Sequence, residues 1–345
     1  MRLKRRQLLR SAAAAALAAP AVFRPGRAHA AERLRLHHFL PPVSNAHVNF
    51  LEPWAEKIAQ ESNGELTVRI FPSMQLGGTP PQLYDQARDG VADIVWTLPG
   101  YTASRFPTLE VVELPFVAGA TGVANSKAAN ELAETRAQEE LREVHLICCW
   151  ANDHGVIHGN RRIERLEDMQ GLKIRFPTRL SGEALNAVGA SPVGMPAPQI
   201  PESLAQGVLD ATLVPWEVVP ALKVHELVGH HTQFPGAPTF QTSTHLLVMN
   251  LARYEGLPAD LRQVLDANSG ELAATMAGAS WDSAAVVAHQ MAVDRGNDVF
   301  TMSEEERARW QEATRPVVEA WIAQQPERAE LLEFFKGLVE KYERV

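Results

Sequence analysis

Between residues 34 and 98 the chain alternates strand-like and helix-like text, and that order restricts the fold class more than any other feature. "LRLHHFL" (34–40) and "ELTVRIF" (65–71) read as strands. Between them, from about His47 to Ser62, Phe50, Trp54 and Ile58 recur at the spacing of one helix face. "TPPQLYDQARDG" then offers Thr79 as an N-cap, Pro80 at the first helical position and Gly90 as a stop. A third strand, "ADIVWTL" (92–98), follows. Strand, helix and parallel strand in that order predict an α/β domain.

The middle of the chain continues in the same style. "VHLICCWA", "GVIHGN", "GLKIRFP", "SPVGM", "DATLVP" and "THLLVMN" (244–250) read as strands, with helices at "LSGEALNAVGA" and "PQIPESLAQG". An almost uninterrupted helical pattern runs from about Pro258 to Gly296, and two further helices, roughly 303–324 and 326–343, close the chain. A chain of 345 residues favours two lobes over one. The boundaries expected are residues 31–155 mostly in lobe 1, 156–250 mostly in lobe 2, and a helical part over 251–345. No flexible linker marks a border, so the chain is expected to cross between lobes more than once. A cleft between α/β lobes, at the C-terminal ends of strands, is where small ligands bind.

Residues 1–30 read as an export signal: a basic start, an Ala-rich middle and the small-x-small ending Ala28-His29-Ala30, with cleavage before Ala31. Arg5-Arg6 followed by Gln7, Leu8 and Leu9 resembles a twin-arginine signal, with an ordinary Sec signal as the alternative. The apolar run is too short to anchor the chain in a bilayer. Seven of the 33 basic residues fall in this segment, which holds no acidic residue. The remainder carries 26 basic against 41 acidic residues, a net charge of −15. Such a surface argues against nucleic acid or anionic lipid as partners, so any anion site must be a local arrangement of cations and dipoles. Cys148 and Cys149 are adjacent in an apolar strand and read as two buried thiols.

Enzymatic signatures are missing. Neither a phosphate-cradling glycine loop, a GxSxG elbow nor an HExxH helix occurs in the right context. His154 and His158, four residues apart in a strand, would lie about 13 Å apart, too far to share one zinc. They read as pocket hydrogen-bonding or surface residues. No cofactor and no metal are expected. What does cluster is a set of polar and aromatic groups at strand ends. Phe39, Ser44, Asn45 and His47 follow the first strand, and Trp96, Pro99, Gly100 and Tyr101 follow the third. Arg175 ends "GLKIR" just before Pro177, and Trp216 follows "DATLVP". An arginine so placed offers a planar fork that matches a carboxylate.

"RLEDMQGLKIRFP" (165–177), "LNAVGASPVGMPAPQIPESLAQGVLDA" (185–211), "FPSMQLGGTPPQLYDQARDGVADI" and "VVELPFV" together resemble the solute-binding proteins of tripartite ATP-independent periplasmic (TRAP) transporters. The resemblance covers nearly all of the chain after the signal. It implies a two-lobed α/β periplasmic binding-protein fold, with the ligand cleft between lobes and a long helix spanning both. It also implies that Arg175 pairs with a ligand carboxylate and that a membrane permease receives the ligand.

Two positions depart from the family pattern. Many members carry a second arginine twenty residues before the first, where this chain has Gly155 beside His154. Where members often read "DGQEN", this chain has "DATLV", so the Asn position is Val214. An apolar wall closed by Trp216 would leave sugar hydroxyls unpaired. The expectation is therefore a periplasmic binding protein, not an enzyme, for a monocarboxylate with an apolar or aromatic body. Arg175 would hold the carboxylate, Trp96, Trp216 and Phe39 would pack on the body beside Val214, and Asn45, His154 or Tyr101 would supply polar contacts. The alternatives are a C4-dicarboxylate or 2-oxo acid binder, with His154 or a cation replacing the missing arginine, and, further off, a periplasmic enzyme.

Overall fold

The computed structural model describes residues 31–344; the export signal expected over residues 1–30 lies outside them. Two sheets organise the chain. The first holds β1 (Glu32–His37), β2 (Leu66–Phe71), β3 (Ile94–Thr97), β4 (Val144–Ala151) and the late strand β10 (Thr244–Asn250), in the order β2-β1-β3-β10-β4. The second holds β5 (Gly155–Gly159), β6 (Lys173–Phe176), β7 (Ser191–Gly194), β8 (Ala211–Pro215), β9 (His230–Gln233) and β11 (Asp298–Thr301), in the order β11-β9-β5-β8-β6-β7. β1 pairs in parallel with β2 and β3, as the strand–helix–strand text predicts. β10 runs antiparallel between β3 and β4.

The sheets do not follow the sequence boundaries. β10, within the segment assigned mostly to lobe 2, belongs to the first sheet, and β11, inside the helical part, joins the second. The chain passes between sheets at residues 152–154, again at 234–243, and again through the C-terminal helices. The first two passages are tied together. The Asn152 amide donates to the Ser243 carbonyl, the Ser243 amide donates to Asn152 Oδ1 at 2.7 Å, and the Thr242 hydroxyl donates to the Asp153 carbonyl at 2.9 Å.

Helices flank the sheets: α1 (Glu52–Glu61), α2 (Gly122–Arg136), α3 (Arg179–Ala187), α4 (Ala259–Ala267), α5 (Gly270–Asp294), α6 (Glu304–Ile322) and α7 (Arg328–Glu343). The helical run expected from Pro258 to Gly296 is thus two helices. Asn268 closes the end of α4: its side-chain Nδ2–H donates to the Val264 carbonyl at 2.9 Å, while its own carbonyl accepts from the Trp54 indole N–H at 2.8 Å. α5, with 25 residues, is the long helix; it packs against α2 and β4 and also meets the turn after β8, so it touches both lobes. Cys148 and Cys149 are buried and unbridged in β4, and burial raises both thiols above their ordinary range.

Candidate functional site

The strand ends of both sheets converge on a small, half-open cavity. Its lining includes Phe39 and Leu40 after β1, Trp96 and Leu98 on and after β3, Asn152 after β4, Arg175 and Pro177 at β6, and Leu213 to Pro215 on β8. Its free volume is about 40 Å³, room for a few waters.

Arg175 is only 2 % exposed. Its Nε–H donates to the Met195 carbonyl at 2.9 Å and an Nη1–H donates to the Leu213 carbonyl at 3.2 Å. Both bonds fix the guanidinium plane and leave other N–H groups of its five for a ligand. Burial lowers its proton affinity, countered by the nearby Tyr101 oxygen, yet a guanidinium stays charged. Among the described residues it has no carboxylate ion-pair partner. A buried, unpaired cation is costly, and an incoming carboxylate relieves that cost. Tyr101 braces the same corner: its oxygen accepts from the Ala197 amide at 3.1 Å, and burial raises the phenol above its ordinary value.

The walls are aromatic. Phe39 lies 4.8 Å from Trp96 and 5.7 Å from Tyr101, centroid to centroid. Trp96 in turn sits against Trp281 at 6.3 Å. Of the expected contact residues, the structure brings Arg175, Phe39, Trp96, Tyr101 and Val214 together around the cavity.

It does not bring the other three. Trp216 turns away, its ring packed on His158, His231 and His289 and its indole N–H donating to Gln233 at 3.1 Å. The residues on either side of it, Leu213 to Pro215 and then Glu217 and Val218, line the cavity, and Trp216 does not. Asn45 donates to the Ser280 carbonyl at 3.3 Å and lines a wider, shallow groove along α5 instead. His154 sits in the turn between β4 and β5, outside the lining, with burial lowering its proton affinity. His158 is also structural, buried at 2.7 Å from His231 and bonded to the Val214 carbonyl.

Several lining residues went unread. Ser243 immediately precedes β10 and His245 lies near its start, and the antiparallel course of β10 brings that N-terminal end to the cleft. Asn152 ends β4, where the same strand-end signal that found Trp96 could have found it. Glu217 lies one residue beyond Trp216, with its carboxyl pushed up to about 8, chiefly by burial and then by Asp153. Trp281 comes from the middle of α5, where nothing in the sequence distinguishes a wall residue from a core one.

A family model for bacterial extracellular solute-binding proteins, family 7, matches residues 36–325. The chain belongs to the TRAP solute-binding protein family. It is similar to a TRAP solute-binding protein from Rhodoferax ferrireducens T118 in complex with copurified benzoate. That likeness has a TM-score of 0.87 and 38 % identity over 91 % of this chain and 99 % of the other. A marine metagenome TRAP solute-binding protein specific for aromatic acid ligands, in complex with 3-hydroxybenzoate, gives a TM-score of 0.88 and 40 % identity over 91 % and 99 % of the two chains. The C4-dicarboxylate-binding periplasmic protein DctP of Rhodobacter capsulatus is 25 % identical over 76 % of this chain and 78 % of its own. The two-lobed TRAP fold expected from the sequence is the fold observed.

Proposed function

We propose that this TRAP solute-binding protein captures an aromatic monocarboxylate in the periplasm, through Arg175, and delivers it to a membrane permease. The observation that carries the reading is the buried Arg175, without a carboxylate partner, facing walls made of Phe39, Trp96 and Tyr101. A flat ring fills such a slot, while the carboxylate takes the free N–H groups of the guanidinium. The likeness to proteins that hold benzoate and 3-hydroxybenzoate supports it.

The missing second arginine supports a single carboxylate. Gly155 has no room for a side chain: a Cβ there would sit 2.9 Å from Gln241 Cβ and 3.0 Å from the Gln241 carbonyl oxygen. His154, the candidate substitute cation, lies outside the cavity and is held neutral by burial.

Thermal-shift screening tests the proposal. Benzoate and related aryl acids should raise the melting temperature by several degrees, and succinate, malate and sialic acid should not. Stabilisation by the latter set alone would refute it.

A further inference from the structure

Two residues that line the cavity from the first sheet and α5, His245 and Trp281, each carry a buried N–H without a partner among the described residues. Trp96 Nε1–H donates to His245 Nδ1 at 3.2 Å. An indole nitrogen can only donate, so His245 Nδ1 is the acceptor and the ring proton sits on Nε2. That Nε2–H has no partner among the described residues. The Trp281 indole N–H, equally buried, has none either. The two rings are neighbours, with centroids 5.6 Å apart, and both residues line the cavity that Arg175 faces from the second sheet.

Each unpartnered buried donor costs about 1–3 kcal/mol of desolvation; the neighbouring Trp150 indole N–H also lacks a partner, but Trp150 is not part of the cavity lining. Two on one wall of a ligand cavity mark a place where the ligand brings an acceptor. Stacking of His245 on Trp150, centroids 5.0 Å apart at 12°, fixes its ring plane, so the donor cannot swing away.

We infer that His245 and Trp281 form a second polar subsite that accepts an oxygen substituent on the ring, making a hydroxyaryl or alkoxyaryl monocarboxylate the preferred ligand class. This rests on the aromatic-acid reading above and adds the ring substituent to it. The substituent is neutral rather than a second carboxylate. Burial keeps His245 uncharged, with its proton affinity lowered to about 3, and Glu217 also lines the cavity, so no cation stands there to balance an anion.

Calorimetry on the wild-type protein tests this with matched pairs: 3-hydroxybenzoate against 3-methylbenzoate, and 4-hydroxybenzoate against 4-methylbenzoate. The methyl compounds have nearly the same shape and no acceptor. At one ring position at least, the hydroxyl compound should bind about five- to tenfold tighter, as one or two well-made hydrogen bonds predict. The corresponding methoxybenzoate, which accepts but cannot donate, should keep part of that preference. In His245→Phe and Trp281→Phe, which retain a ring, the hydroxyl-to-methyl ratio should fall toward one, whatever happens to affinity overall. Methyl compounds binding as tightly as hydroxyl compounds at both positions would overturn the subsite and leave the aromatic-acid reading standing. Isophthalate or terephthalate binding more tightly than the hydroxybenzoates would overturn its neutral character. Failure of every aryl acid to bind would remove both readings together.

Discussion

The amide of Gly155 donates to the carbonyl of Gln241 at 2.9 Å, and the Gln241 side chain fills the space that a side chain at residue 155 would need. Gly155 opens β5 directly after one segment that crosses between the sheets, and Gln241 lies on the other, so the contact closes the crossing and leaves no room for a side chain at residue 155. The departure from the family pattern at residue 155 is therefore a packed feature of the fold.

Gly155→Arg is predicted to destabilise the protein by about 1–3 kcal/mol, the cost of overpacking, without creating dicarboxylate binding. Thermal melts and succinate titrations check both parts. Gln241→Gly in the same chain should recover part of the loss, because it removes the group in the way.

The lobes approach each other closely at Gly100. A Cβ there would lie 2.8 Å from Thr178 Cβ and 3.3 Å from Thr178 Cα, and Thr178 caps α3, so it cannot retreat without uncapping that helix. Gly100→Ala should push the two lobes apart at this contact and weaken ligand binding about tenfold, while leaving the melting temperature without ligand nearly unchanged. Unchanged affinity by calorimetry would show that closure does not need this contact.

Trp96 and Trp216 separate wall from core. Trp96→Leu should lower aryl-acid affinity about tenfold, having removed a ring surface worth roughly 1–2 kcal/mol. Trp216→Phe should change stability and leave affinity within about twofold, because its ring packs on His158 and His231 outside the cavity. Equal losses in both variants would contradict the assignment.

Stability should depend on pH in opposite senses on the two sides of neutrality. Burial pushes Glu113 and Glu217 up to about 8 and Asp153 up to about 7. The folded protein therefore keeps protons that the unfolded chain releases near pH 4, and stability falls as pH rises through that window. Burial lowers His38 and His245 to about 3 and His231 to about 4. Those rings stay neutral while the unfolded chain takes up protons below about pH 6.5, so stability also falls as pH drops from there. Above pH 6.5 only the carboxyl effect remains, and the melting temperature should decline from pH 6.5 to 8. Glu217→Gln should flatten that decline, and a wild-type melting temperature rising over the same interval would refute it.

Much of this was legible in the sequence wherever strands run parallel. Phe39, Trp96, Tyr101 and Arg175 line the cavity as expected because the C-terminal ends of parallel strands point into a cleft, and a strand end can be read from local pattern; Val214 was singled out only by its departure from the family pattern. Ser243 and His245 were not legible, because β10 is antiparallel and presents its beginning to the cleft; strand direction is decided by long-range pairing that local text does not encode. Asn45 and His154 have the right residue types beside the right strands. The Asn45 side chain donates to the Ser280 carbonyl instead, and His154 sits in the turn between β4 and β5, outside the cavity lining. The place of β10 in the first sheet was illegible for the same reason, since its partners β3 and β4 lie about a hundred residues or more away in sequence.

Titration of benzoate into the wild-type protein and into Arg175→Ala, at equal concentration and with folding of both confirmed by melting, tests the central claim most directly. The account predicts one saturable site in the wild type and no measurable heat or stabilisation in the variant. Benzoate binding retained by Arg175→Ala within a few-fold of wild type would contradict it.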